Sequence, residues 1–111
     1  MKLRLEENSL RLRLSEAEVA QFASTGQVAY TIVFGPEAGQ TLVYSLEQMP
    51  KTDPALVVRV RYAAGALAIE VPATLAEEWI STEKNGFSEC VRVAANQELR
   101  IMVEKDLDCR H

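Results

Sequence analysis

The chain has 111 residues, 48% of them hydrophobic and 25% charged, with a net charge of −4. That is the length and composition of one ordinary globular domain, spanning 1–111. The acidic balance argues against bulk affinity for nucleic acid or membranes, no run approaches the roughly 18 apolar residues of a membrane span, and the N-terminus has no apolar stretch of the signal-peptide kind.

Leu3 and Leu5 alternate with Lys2, Arg4 and Glu6, and Leu10, Leu12 and Leu14 alternate with Arg11 and Arg13. Period two with one apolar face is the pattern of a half-buried strand, here twice. A turn at Glu7-Asn8, with Asn8 suited to a left-handed conformation, makes the pair a hairpin. Its register sets Leu5 opposite Leu10 and Leu3 opposite Leu12; a slip of one residue would expose every leucine. Ser15-Glu16-Ala17-Glu18 reads as a capping box, followed by Val19, Phe22 and Ala23 at helical spacing and by Gly26, which predicts a short helix over about 16–24. Val28 to Phe34 alternates again, Gly35 to Gly39 is turn chemistry, and Leu42, Tyr44 and Leu46 predict the next strand.

A connector follows at about 50–55, where the run MPKTDP brings two prolines and no periodic pattern. Val58, Val60 and Tyr62 then face opposite Arg59 and Arg61, Ala64-Gly65 turns the chain, and Leu67, Ile69 and Val71 return. Pro72 opens a second helix with Leu75, Trp79 and Ile80 on its stripe. Phe87 to Val93 and Leu99 to Val103 are the last pair of strands.

The two halves match at an offset of 57: Arg4 meets Arg61, Leu10 meets Leu67, Leu12 meets Ile69, Phe22 meets Trp79 and Glu47 meets Glu104. The pattern predicts an internal duplication, with one unit at about 1–49 and another at about 56–106, each strand-strand-helix-strand-strand. The expected fold is α+β: about eight mostly antiparallel strands in a barrel or sandwich, with two short helices related by a pseudo-two-fold axis. Closure into a barrel would remove the open edges of a sheet.

The runs LAIEVPATLAEEW, FSECVRV and ELRIMVEKD resemble the strand-Pro-helix-strand-strand layout of swapped-hairpin transition-state-regulator domains over about residues 66–106, and more loosely over 9–49. That resemblance implies an intertwined barrel and DNA binding through a basic face. The chain differs from that family in an extra leading strand, in its acidic balance and in the turn after the helix. Separately, NSLRLRLSEAEVAQF, the FGPE turn and the VEKDLDC ending resemble a small bacterial family of unknown function over nearly the whole chain. No activity follows from that second resemblance.

The most informative candidate site is the polar face of the first hairpin, where Arg4 opposes Arg11 and Lys2 opposes Arg13. Like charges directly opposite destabilise a sheet. The matching pairs in the second hairpin, Arg61 with Ala68 and Arg59 with Glu70, are milder or compensated. The four cations need relief from a neighbour such as Glu47, Glu104 or Glu16/Glu18, from solvent, or from a bound anion, a nucleic-acid phosphate or an acidic protein. Chemistry elsewhere is thin. The single histidine, His111, is the last residue, Cys90 beside Arg92 reads as a strand filler, and Glu77-Glu78 reads as a solvated helix face. Asp106, Asp108, Cys109 and His111 crowd a tail with no scaffold for a metal, and Phe22 and Trp79 read as core anchors. No cofactor is implied.

The expectation is therefore a non-enzymatic binding or interaction domain, monomeric or homodimeric, that uses Lys2, Arg4, Arg11 and Arg13. A DNA-binding regulator is the alternative. The cysteines, Cys90 and Cys109, are far apart and in no metal-like spacing, which suits a cytoplasmic protein with free thiols.

Overall fold

A computed structural model describes residues 1–106. The elements in order are β1 (Lys2–Glu6), β2 (Ser9–Leu14), α1 (Glu16–Thr25), β3 (Gln27–Val33), β4 (Thr41–Gln48), β5 (Arg59–Ala63), β6 (Ala66–Val71), α2 (Ala73–Ser81), β7 (Gly86–Ala94) and β8 (Gln97–Lys105). It is an α+β fold, with the eight strands in two four-stranded sheets.

Local chemistry sets most of these boundaries. The β1–β2 register is the one the leucine pattern demands: Leu5 faces Leu10, Arg4 faces Arg11, Leu3 faces Leu12 and Lys2 faces Arg13. The left-handed residue of that turn is Glu7, at φ 50°, rather than Asn8. Asn8 has other work, because its side-chain amide donates to the Glu98 carbonyl and its own carbonyl accepts from the Arg100 amide at 3.1 Å. The turn is thereby stitched to β8. Ser15 caps α1 in a reciprocal box with Glu18, and Gly26 ends it at φ 80°, where a side chain would be strained. Pro72 precedes α2 and gives it no side-chain cap.

The sheets are assembled across the chain. Their strand orders are β1-β2-β8-β7 and β3-β4-β6-β5. Each is a hairpin from residues 1–49 beside a hairpin from residues 56–106, joined at the centre by a parallel pair, β2 with β8 or β4 with β6. Of the barrel or sandwich expected, the closed barrel does not form: no pairing links the two sheets, and β1, β7, β3 and β5 are edges among the described residues. With the parallel pairs at the sheet centres, the hairpin partners are left on the outside.

The registers follow the offset of 57 through most of the fold. Lys2 faces Arg13 as Arg59 faces Glu70, and Leu10 faces Ile101 as Leu67 faces Tyr44. The match without insertions fails at the last hairpin, where Glu104 faces Gly86 although Glu47 faces Gln27. Residues 82–85 separate α2 from β7, whereas Gly26 alone separates α1 from β3, and the β7–β8 turn is correspondingly short.

The inner faces of both sheets and both helices share one core. Leu10, Leu12, Leu14, Ile101 and Val103 come from one sheet, and Val28, Tyr44, Leu46, Ile69 and Val71 from the other. Phe22 and Trp79 plug it from the helices with rings edge to face at 6.0 Å, and Phe87 meets Trp79 at 5.8 Å. No helix among the described residues is long and apolar enough to cross a membrane.

A carboxylate fixes the first residue against this core. Glu18 accepts from the α-amino group of Met1, from the Tyr30 hydroxyl and from the Ser15 amide, while the Tyr44 hydroxyl donates to the Met1 carbonyl at 2.8 Å. Burial pushes the Glu18 carboxyl up, but these hydrogen bonds and the adjacent ammonium outweigh it and hold the group at about 2 instead of 4.5. A depressed carboxylate stabilises the fold fully above pH 4.5 and loses that contribution as pH falls toward 2. Glu18→Gln should therefore cost about 1–2 kcal/mol at pH 7 and almost nothing near pH 2. Urea unfolding of both proteins across that range checks it; a pH-independent difference would contradict the assignment.

Candidate functional site

Strand alternation fixes which side chains leave the core. Because Leu10, Leu12 and Leu14 point inward, Arg11 and Arg13 point outward, and the register brings Lys2 and Arg4 beside them. These four side chains line one cleft of about 170 Å³ on the outer face of the first sheet. The expectation that Lys2, Arg4, Arg11 and Arg13 share a face agrees with this arrangement, and none of them points into the interior.

The cations are partly relieved within the chain. Glu104, opposite Arg13 on β8, lies 3.3 Å from the Arg13 guanidinium and 3.8 Å from Arg11 Nε. Lys2 reaches Asp106 at 3.3 Å, and Arg4 stands 3.9 Å from Glu6. The second guanidinium nitrogen of Arg11 meets the Met102 sulfur at 3.7 Å, and its Nε is buried with no hydrogen-bond partner among the described residues. Lys2 and Arg4 are mostly exposed, so pairs of this length contribute little. Of the neighbours the sequence suggested, Glu104 serves this cleft, whereas Glu47 serves Arg61 and Glu18 is committed to Met1. Glu6, Met102 and Asp106 escape sequence reasoning; only the β2–β8 pairing could have pointed to Met102.

The matching hairpin shows what full compensation looks like. Arg59 pairs with Asp53 at 2.8 Å and Glu70 at 3.4 Å, and Arg61 pairs with Glu47 at 3.1 Å and Glu70 at 3.5 Å. The hydrogen bond from Arg61 to Glu47, with the charges of Glu47 and Glu70, raises the Arg61 pKa above its usual range. Here Glu70 and Ala68 occupy the places of Arg13 and Arg11. Two cations meet three carboxylates in this hairpin, whereas four meet three in the first. The charge excess is therefore a property of one sheet.

The other candidates separate. Cys90 is a free, exposed thiol on β7, on the same outer face as Ser88 and opposite Arg100. Glu77 and Glu78 pair with Lys51 and Lys84 on the surface. Phe22 and Trp79 are fully buried. Of the tail residues considered for a metal, Asp108, Cys109 and His111 lie outside the described residues, and Asp106 contacts Lys2.

A family model described as "Family of unknown function (DUF7009)" matches residues 1–111. No curated protein and no solved structure matches the chain.

Proposed function

The chain belongs to that family of unknown function, which brings no activity with it, and from there we propose that it is a non-enzymatic binding domain whose basic hairpin face takes an anionic group. The observation that carries the reading is the cleft lined by Lys2, Arg4, Arg11 and Arg13, where the three carboxylates Glu104, Glu6 and Asp106 face four cations. Its size suits a phosphate, or a carboxylate offered by an acidic partner, and is below the roughly 300 Å³ of a drug-sized site. Guanidinium groups are the preferred donors to both anions. A cytoplasmic setting accords with the free thiol of Cys90.

The face sits on a duplicated fold: two ββαββ units, 1–49 and 56–106, exchange hairpins about a pseudo-dyad. Matching registers in four of the six strand pairings support this. In such a molecule one unit keeps the compensated hairpin and the other carries the binding one.

The test is a titration of the protein with inorganic phosphate, followed by amide NMR. Shifts should concentrate in residues 2–14. Arg11→Glu with Arg13→Glu should abolish them, a loss on the order of 100-fold, while the circular dichroism spectrum stays native. Glu104→Gln, which frees both guanidinium groups, should tighten binding several-fold. Phosphate shifts that persist in the double glutamate variant would refute the cleft.

Exchange of hairpins between units also favours a second reading, a DNA-binding regulator. It requires retention of duplex DNA in a low-salt gel shift, with affinity falling steeply as salt rises. Absence of retention removes it.

A further inference from the structure

The parallel β2–β8 pairing carries the basic face beyond the hairpin. Along the outer side of this sheet, Lys2 and Arg13 share a row with Glu104 and Gly86, and Arg4 and Arg11 share the next with Met102 and Ser88. Glu6 and Ser9 then lie level with Arg100 and Cys90, and Glu98 lies opposite Arg92. The cations therefore step diagonally across the sheet, from the β1–β2 hairpin through Arg100 on β8 to Arg92 on β7. Rows are about 6.8 Å apart and strands about 4.8 Å, so the stripe is roughly 25 Å long. Arg92 and Arg100 make no ion pair and no side-chain hydrogen bond among the described residues, and both are exposed. Glu104 flanks the stripe on one side, and Glu6 and Glu98 on the other.

Resting on the hairpin reading, the geometry points to an extended acidic polypeptide as the partner, laid along this diagonal from Arg13 to Arg92. An extended chain repeats its side chains on one face every 6.8 Å or so, and about seven residues cover 25 Å. Carboxylates at alternate positions then meet Arg13, Arg11, Arg100 and Arg92 in turn. The flanking Glu6 and Glu104 favour a narrow partner; the phosphates of a duplex would run over them. No residue of this face is aromatic, so single-stranded nucleic acid finds no stacking platform.

The experiment uses the full chain and a fluorescent ten-residue peptide of alternating glutamate and serine, with a lysine-serine peptide and ten-nucleotide oligo-dT as comparators. Fluorescence anisotropy should show binding of the glutamate peptide alone, weakening as salt rises. Arg92→Glu with Arg100→Glu should weaken it at least about tenfold while phosphate shifts at the hairpin stay unchanged. Arg92→Gln with Arg100→Gln gives the same loss more mildly, and both variants should keep a native circular dichroism spectrum. Unchanged peptide binding in these variants overturns the diagonal and leaves the hairpin cleft standing. Phosphate binding without peptide binding does the same. Oligo-dT binding that is tighter than peptide binding and lost in the same variants replaces the polypeptide by a nucleic acid. If neither phosphate nor peptide binds, the hairpin reading and this one fall together.

Discussion

Replacing Trp79 by alanine should destabilise the protein by about 3–5 kcal/mol, with a fall in Tm of more than about 10 °C. Trp79 is fully buried where the two helices meet the first sheet, flanked by Phe22 and Phe87. Its indole N–H donates to the Asn85 carbonyl at 3.0 Å, so it also anchors the segment between α2 and β7. The Lys105 ammonium lies 5.8 Å from the ring centre and donates to the Thr82 carbonyl, which ties β8 to the same corner. Truncation thus removes a large apolar volume and one of the two hydrogen bonds to the Asn85 carbonyl, which keeps only the Lys105 amide at 2.8 Å. Trp79→Phe retains a ring and loses the hydrogen bond, so it should cost less, about 1–3 kcal/mol. Urea denaturation of both variants, with exposed Tyr62→Ala as a reference expected within about 0.5 kcal/mol, tests the ranking. A Trp79→Ala cost near that of Tyr62→Ala would show that the helices do not plug the core.

Cutting the chain in the connector should have a still larger effect. A fragment of residues 1–49, made alone, should be unfolded, and so should a fragment of 56–106; mixed in equal amounts, they should recover the native spectrum. Neither half holds a complete sheet, because β2 needs β8 and β4 needs β6. In isolation, Leu10, Leu12 and Leu14 would lose Ile101 and Val103, and a lone two-stranded hairpin is at best marginally stable in water. Far-UV circular dichroism and amide dispersion of each fragment and of the mixture decide it. A folded monomeric fragment would mean that the halves do not depend on one another.

What the sequence disclosed was what local chemistry dictates. The Leu3–Leu14 alternation specified one register, and the Ser15–Glu18 box located a helix start. A parallel pair has no turn of its own and joins residues such as Leu10 and Ile101, so nothing near either residue announces it. The expectation of a barrel or sandwich rests on strand count and on the need to protect sheet edges, and only the pairing decides against closure. The same blindness shaped the site. Lys2, Arg4, Arg11 and Arg13 were legible because one hairpin holds them, whereas Met102 and Arg100 join the face only through β8. The Glu18 knot with Met1 and Tyr30 was hidden because the capping box already accounted for that glutamate.

The β2–β8 pairing also imposes an order on biogenesis. The β1–β2 hairpin leaves the ribosome when its central partner has yet to be translated, and Leu10, Leu12 and Leu14 wait until β8 has been made with their inner side uncovered. Contacts this distant in sequence slow folding and lengthen the exposure of sticky surface. The outward cations of that hairpin bear on this interval, because charges on an uncovered strand disfavour pairing between neighbouring chains before β8 arrives.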